Sequence, residues 1–533
     1  MKRPLAMERD LTTEQTATLL FWLFAAAAVV LRGIMLSTMA IVAPDSPGYI
    51  SMAESIAENG VAAYFGNGFD PNLTLYPIFI HLVHLIFGDY VISGQIVSLV
   101  FGCLVFIPVV YLARAAFDRE TALMTLFLLA VHPLLVRYSA EVLKDTGLFF
   151  FILSGLALAH RGMEKDSPCI SLIAGMAAWG AVLMRFFGII AVPVAAIGAL
   201  SLGLASRMPK GRISLNLCLF LVPIPLAGAV LFQLFVGIEN TSILTDFSSF
   251  LQMITPPDPD TYADVLFSNP DYTGRMLSYL DLITGHPYAF FLIELISVLG
   301  SAFVGIFILL FILGLFVTPP RESGFASRIF LTVSALVFLL IFYYVVSSFY
   351  FISKRHVMPV VLALFPWSGL GLRYLLARIK EWTGLLGEKY VRVGGLTRRI
   401  VSVILALWLA GAALYAFSPY RQDDRYQRDA GEYIAHEFGA DASILMHLAD
   451  SRSAFYAEGV PAYYMSPESL ETSLNGENEY DFVMWDTKVG PKPENLDGLL
   501  EGRGFVPIAT FTGTDDDTIY LYRNEASPPP PPQ

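Results

Sequence analysis

Asp45 stands in PDSPGYISMAESIAENG, residues 44–60, directly after the first long apolar run and where the chain should leave a bilayer. A carboxylate there meets water on one side and hydrocarbon on the other, a setting in which a general base can serve a lipid-borne reactant. Pro44 and Pro47 disfavour helix around it, so its side chain could face a cavity. The plainer reading is a cap on a helix beginning near Ser46 or Pro47. A second acidic stretch, SAEVLKD, holds Glu141, Lys144 and Asp145, with the two acids four residues apart and on one face if helical. Either acid could orient a reactant or help hold a divalent cation, or simply solvate a turn. On the same side lie Arg137, Lys144, Arg185, Arg275, Lys354, Arg355 and His356. Cations at that depth suit an anionic ligand such as a polyprenyl phosphate entering from the bilayer, with snorkelling to lipid headgroups as the plain alternative. A base facing a set of phosphate-binding cations is the equipment for group transfer from an anionic leaving group.

These residues need a scaffold, and the composition says which. Of 533 residues 55% are hydrophobic and 15% charged, with a mean hydropathy of +0.59, too apolar for a soluble chain of this length. Runs long enough to cross a bilayer fall near 17–40, 91–113, 119–137, 146–160, 168–184, 187–205, 213–236, 288–316, 327–350, 357–377 and 399–418. The turns at 114–119, 160–165, 206–212 and 319–328 and the loop 378–399 all carry Lys or Arg, which sets them and the N-terminus in the cytoplasm. Eleven crossings then put the acids and the C-terminus outside. LYPIFIHLVHLIFGD, 75–89, is a possible additional span. The first run is too long for a signal-peptide core and reads as a retained span.

Residues 421–533 carry 21 acidic and eight basic side chains, a balance of −13, so the rest of the chain is nearly neutral within the total of −12. That distribution argues against a nucleic-acid partner. RYQRDAGEYIAHEFG, 425–439, reads as an amphipathic helix, and 443–448, 480–486, 504–511 and 518–523 as strands. Residues 1–420 are therefore expected to form a polytopic all-α membrane domain, 421–525 a small extracytoplasmic α/β domain, and 526–533 a disordered Pro-rich tail. The α/β domain is expected to influence acceptor choice and to hold no catalytic residue.

Other motifs carry less. His81 and His84, beside Tyr76 and Asp89, could flank a metal but have no fixed third ligand and read as interfacial packing. The MWD of 484–486 receives no role. Cys103, Cys169 and Cys218 lie in or beside apolar runs as small hydrophobes. No metal site, Walker loop, dinucleotide fingerprint or Ser-centred elbow is apparent.

PDSPGYISMAESI, YPIFIHLVHLIFGD and above all residues 97–151 resemble the GT-C membrane glycosyltransferases, in particular the dolichyl-phosphate-mannose protein mannosyltransferase branch that includes the bacterial lipid A aminoarabinose transferases. The likeness covers residues 20–200 well and is architectural beyond. It implies a GT-C-like fold and inverting transfer of a hexose or pentose from a polyprenyl-phosphate donor to an extracytoplasmic protein, lipid or glycan at the inner (plasma) membrane. It implies Asp45 as the catalytic base, with Asp145, or less well Glu141, as the second acid. Lys144, Arg185, Lys354 and Arg355 would contact the donor phosphate. Relatives often carry two adjacent acids at the first site, whereas Ser46 follows Asp45 here. A transporter or lipid flippase is the competing class, and it should hold ionisable groups near mid-span instead of at one rim. An O-antigen ligase or polymerase would centre on an Arg-rich outer loop, and residues 238–287 contain a single Arg.

Overall fold

The computed structural model describes residues 4–66, 74–223, 286–319, 324–349, 352–389 and most of 421–527, together with isolated positions between 403 and 414. The span expected at 399–418, the end of that at 213–236 and the loop carrying Arg275 lie outside the described residues.

The apolar runs become helices. They are α1 (Pro4–Ser37), α2 (Ser46–Gly66), α3 (Tyr76–Phe87), α4 (Tyr90–Leu104), α5 (Phe106–Ala116), α6 (Arg119–Val131), α7 (Pro133–Tyr138), α8 (Asp145–Glu164), α9 (Pro168–Met184), α10 (Ala191–Ala205) and α11 (Lys210–Leu221). After the undescribed stretch come α12 (Pro287–Phe303), α13 (Ile306–Leu315), α14 (Phe325–Phe349) and α15 (Lys354–Lys389). Among the described residues six helices are long and apolar enough to cross a membrane, or seven if the bent pair α12 and α13 is one span.

Several expected spans are broken for local reasons. The 119–137 segment splits at His132, because Pro133 cannot continue the amide ladder of α6 and starts α7 instead. Residues 288–316 turn by 107° between α12 and α13, at Val304 and Gly305, both with positive φ. YPIFIHLVHLIF makes a helix of 12 residues, about 18 Å at 1.5 Å per residue, too short to cross the hydrocarbon. At the end remote from Asp45, Arg373 pairs with Asp118 and Glu120, clasping α15 to the start of α6.

The charged segment folds around a sheet. Helix α16 (Arg425–Phe438) leads into β1 (Ile444–His447), β2 (Ala462–Met465), β3 (Phe482–Asp486), β4 (Phe505–Thr512) and β5 (Thr518–Asn524), ordered β2-β1-β3-β5-β4. β1 runs parallel to β2 and β3, while β5 runs antiparallel to β3 and β4. β3 is buried along its whole length because both faces are covered, one by Tyr426, Ala430 and Ile434 of α16 and the other by Leu496 and Leu500. β2 was not foreseen from its short run AYYM. The Asp of MWD has a structural task. Asp486 accepts hydrogen bonds from Tyr426 Oη at 3.0 Å and Gln427 Nε2 at 2.7 Å, which fixes α16 on the sheet.

Candidate active site

The loop between α7 and α8, residues 139–144, is where the membrane helices position chemistry, and its geometry begins with Arg32. This arginine lies fully buried in the first span. It donates to the carbonyls of Ala130 at 3.2 Å and of Leu129 at 3.4 Å, the latter having lost its i+4 donor to Pro133 and accepting otherwise from the His132 amide at 3.5 Å. A cation at a helix C-terminus is also favoured by the macrodipole. Its Nε donates to Ser139 Oγ at 3.2 Å, tying the loop to the end of α6.

Two further hydroxyls finish the loop. Ser46 Oγ donates to the Val142 carbonyl at 2.9 Å, and Ser98 Oγ to that of Leu143 at 3.0 Å. Tyr76 Oη is 2.7 Å from Ser98 Oγ. Ser46, where relatives often carry a second acid, is thus a buried strut between the two acid-bearing loops.

The loop delivers Lys144 and Asp145 to the start of α8. The Asp145 side chain is 2% exposed and that of Asp45 is 44% exposed. Arg355, at the start of α15, bridges them. Its Nη1 lies 2.7 Å from Asp45 Oδ2 and 3.7 Å from Asp145 Oδ2. The Asp45 carboxylate is therefore engaged by Arg355, from the start of α15. Arg185 Nη1 lies 3.3 Å from Asp145 Oδ1.

Arg185 owes its place to the end of α9. The chain turns there into a 3-10 segment, Phe186–Ile190. A Cβ at Gly188 would collide with the Ala181 carbonyl, so only glycine lets the turn fold so closely against α9. Arg185 Nη2 sits 2.9 Å from His356 Nε2. His356 Nδ1 lies 3.2 Å from the Ser353 amide nitrogen and 2.9 Å from Ser353 Oγ, so the ring is held between Arg185 and the turn that opens α15.

Lys144 is buried, and its Nζ lies 5.1 Å from the ring centre of Tyr49. Burial, then the positive field of Arg185, depresses its pKa to about 8. Burial, followed by the charges of Asp45 and Asp145, pushes the Tyr49 phenol up, so the ring stays neutral above the lysine.

Of the residues singled out in the sequence, Asp45, Asp145, Lys144, Arg185 and Arg355 come together. Lys354 is exposed and takes part in none of the ion pairs among the described residues. Glu141 turns away from the cluster and is buried against Arg421, with Nη2 to Oε2 at 3.3 Å. Tyr49, Ser98 and Arg32 were missed. Tyr49, four residues beyond Asp45 on an amphipathic helix, carried the one local signal.

A divalent cation does not suit this donor set. The Arg355 guanidinium occupies the space between Asp45 and Asp145, and among the described residues no three His, Cys, Asp or Glu side chains converge as metal ligands. Among the described residues no third ligand joins His81 and His84, and His84 stacks on Tyr90 at 3.6 Å.

Fold and site together define a polytopic helical membrane protein with an acid and cation cluster at one rim of the bundle, beneath a mixed five-stranded sheet. A family model for dolichyl-phosphate-mannose-protein mannosyltransferase matches residues 74–226. No curated protein matches the chain by sequence. Among solved structures, ArnT from Cupriavidus metallidurans in the apo state is similar over 97% of this chain and 100% of its own, with 15% identity and a TM-score of 0.55. The same protein bound to undecaprenyl phosphate is similar over 96% and 99%, at 14% identity and a TM-score of 0.54. The archaeal oligosaccharyltransferase AglB from Archaeoglobus fulgidus, in complex with an inhibitory peptide and a dolichol-phosphate, is similar over 96% of this chain and 75% of its own, at 14% identity and a TM-score of 0.55. The chain shares the fold of these structures, and the family match falls on residues 74–226 of its membrane region.

Proposed function

We propose that this protein is a glycosyltransferase of the cell's inner (plasma) membrane that moves a hexose or pentose from a polyprenyl phosphate to an extracytoplasmic protein, lipid or glycan, with inversion at the anomeric carbon. The observation that carries the reading is the pairing of one exposed and one buried aspartate through Arg355, with Arg185 and Lys144 alongside. Of the similar structures, that of ArnT is bound to undecaprenyl phosphate and that of AglB is in complex with a dolichol-phosphate, which supports a polyprenyl-phosphate donor here.

The roles follow from exposure. Asp45 is reachable from outside the bundle and takes the proton of the acceptor nucleophile as the nucleophile bonds to the anomeric carbon. The bond from that carbon to the phosphate oxygen breaks on the opposite face, and its electron pair leaves with the phosphate. Arg355, Arg185 and Lys144 stabilise the charge that develops there. Asp145 is buried and holds both guanidiniums, so it orients and does not abstract. A donor phosphate competes with Asp45 for Arg355, which frees the base only when the donor is in place.

The Lys144 contact gives a pH dependence. Its contribution to donor affinity is full below about pH 8 and is lost as the pH rises through that value. Affinity for a polyprenyl phosphate measured from pH 6.5 to 9.5 should fall across this window in the wild type and stay flat across it in Lys144→Met. Parallel curves for the two proteins would exclude Lys144 from the phosphate site.

Orientation is tested by reporter fusions. Position 208, between α10 and α11, should report the cytoplasm, and position 480, before β3, the opposite side. Both on one side would overturn the assignment of the acid rim to the outer face.

A further inference from the structure

The sheet unit touches both loops that carry the acids. Arg428 Nη1 donates to the Ala40 carbonyl at 3.1 Å, and the Val42 amide donates to Tyr456 Oη at 3.1 Å. Both contacts fall on the short segment between α1 and α2, within five residues of Asp45. Arg428 also lies 5.4 Å from the ring centre of Tyr456, so these two side chains form one grip. A third contact reaches the other loop. Arg421 meets Glu141, whose side chain is fully buried, three and four residues before Lys144 and Asp145.

The grip is rigid on its own side. Helix α16, which carries Arg428, packs against the short helix Arg452–Tyr456, where Gly431 lies so close to the Ser453 carbonyl that a Cβ would collide with it. Buried Arg452 pairs with Asp424 at 2.9 Å, and Lys488 pairs with the same carboxylate, locking both helices to the sheet. Burial opposes ionisation of Asp424, but its hydrogen bonds to Lys488 and Arg452 outweigh this and hold the carboxyl below its ordinary range.

From this geometry, and resting on the catalytic reading above, we infer that the sheet unit is a positioning element of the reaction. Tyr456 and Arg428 set the backbone before Asp45, Arg421 with Glu141 sets the loop before Asp145, and one rigid body thereby holds the spacing that Arg355 bridges. Glu141 is in this view an anchor for the sheet unit, and Tyr456 a positioning residue that acts through Asp45. The unit holds no reacting atom and yet governs the rate, because small misplacements of a catalytic group cost up to about a hundredfold.

The experiment is a double-mutant cycle in the full-length protein. Tyr456→Phe keeps the ring beside Arg428 and removes only the hydroxyl that receives the Val42 amide. It should lower the kcat for sugar transfer about tenfold, leave the donor KM within about twofold, and speed hydrogen exchange at the Val42 amide several-fold, with the thermal midpoint unchanged. In an Asp45→Asn background the same substitution should cost nothing further in rate. Arg428→Gln provides a second entry to the same grip and should behave alike, with partial rescue in Arg428→Lys. Equal losses from Tyr456→Phe with and without Asp45, or faster exchange at Val42 with no loss of kcat, would overturn the positioning role. An Asp45→Asn protein of normal activity would instead sink the catalytic reading, so the two failures are separable.

Discussion

Asp45→Asn is expected to lower sugar transfer by about 10²- to 10⁴-fold, the range for loss of a general base, while donor binding is retained or strengthened. The second half of that expectation comes from the structure. The Asp45 carboxylate holds Arg355 at 2.7 Å, and an asparagine cannot compete with a phosphate for the guanidinium as a carboxylate does. The fold should survive, because the side chain is 44% exposed and the loop is fixed by Ser46, Val42 and Ala40 without it. Initial rates and donor titration on the same preparation separate the two effects. Loss of donor binding in parallel with loss of rate would show that Asp45 organises the donor and abstracts nothing.

Arg355→Ala is expected to be the most damaging change among the cations. It removes a charge-assisted contact to the donor phosphate, worth about 1.5–3 kcal/mol or roughly ten- to a hundredfold in affinity, and also the cation between two carboxylates. Without it Asp45 faces buried Asp145 with Arg185 and Lys144 as the remaining cations of the cluster, and like charges favour protonation. The acid limb of the pH–rate profile should therefore move to higher pH, so that activity is lost sooner as pH falls. Arg185→Ala should weaken donor binding by a similar factor but shift the limb less, since Arg185 contacts Asp145 and His356 and not Asp45. Donor titrations and pH–rate profiles of both variants supply the check. Normal donor affinity in both would make these side chains headgroup anchors.

The members of the candidate cluster were legible one by one because each stands out locally. Asp45 and Asp145 lie near the ends of apolar runs, and Arg185 and Arg355 are basic residues on the side expected to be extracytoplasmic. What the sequence hid was pairing over long separations. Arg355 and Asp45 are 310 positions apart, and nothing in the spacing of either names the other. Glu141 and Asp145 are both acids and stand four residues apart, yet the second is buried against Arg185 and Arg355 and the first against Arg421, because α8 begins only at Asp145 and the two never share a helix face. Arg32 carries no signal in the sequence because, apart from Ser139 Oγ, its partners are backbone carbonyls, which no side-chain pattern can reveal.

The same contrast holds for the fold. Strands β1, β3, β4 and β5 alternate or end in turn residues and were readable, while β2 depends on pairing with β1 for its conformation. Helix breaks followed where proline dictated them, at Pro133. They did not where the chain continues through Pro359 and Pro366 inside α15, since neighbouring helices can stabilise a proline-containing span.

The most direct measurement of the central claim uses purified protein and a panel of polyprenyl-phosphate sugars, with consumption of each donor and the anomeric configuration of the product followed by NMR. The account predicts that at least one donor is consumed by the wild type, that the product is inverted relative to that donor, and that Asp45→Asn consumes it at least a hundredfold more slowly. Retained anomeric configuration, or equal consumption by the wild type and the Asp45→Asn protein, would contradict it.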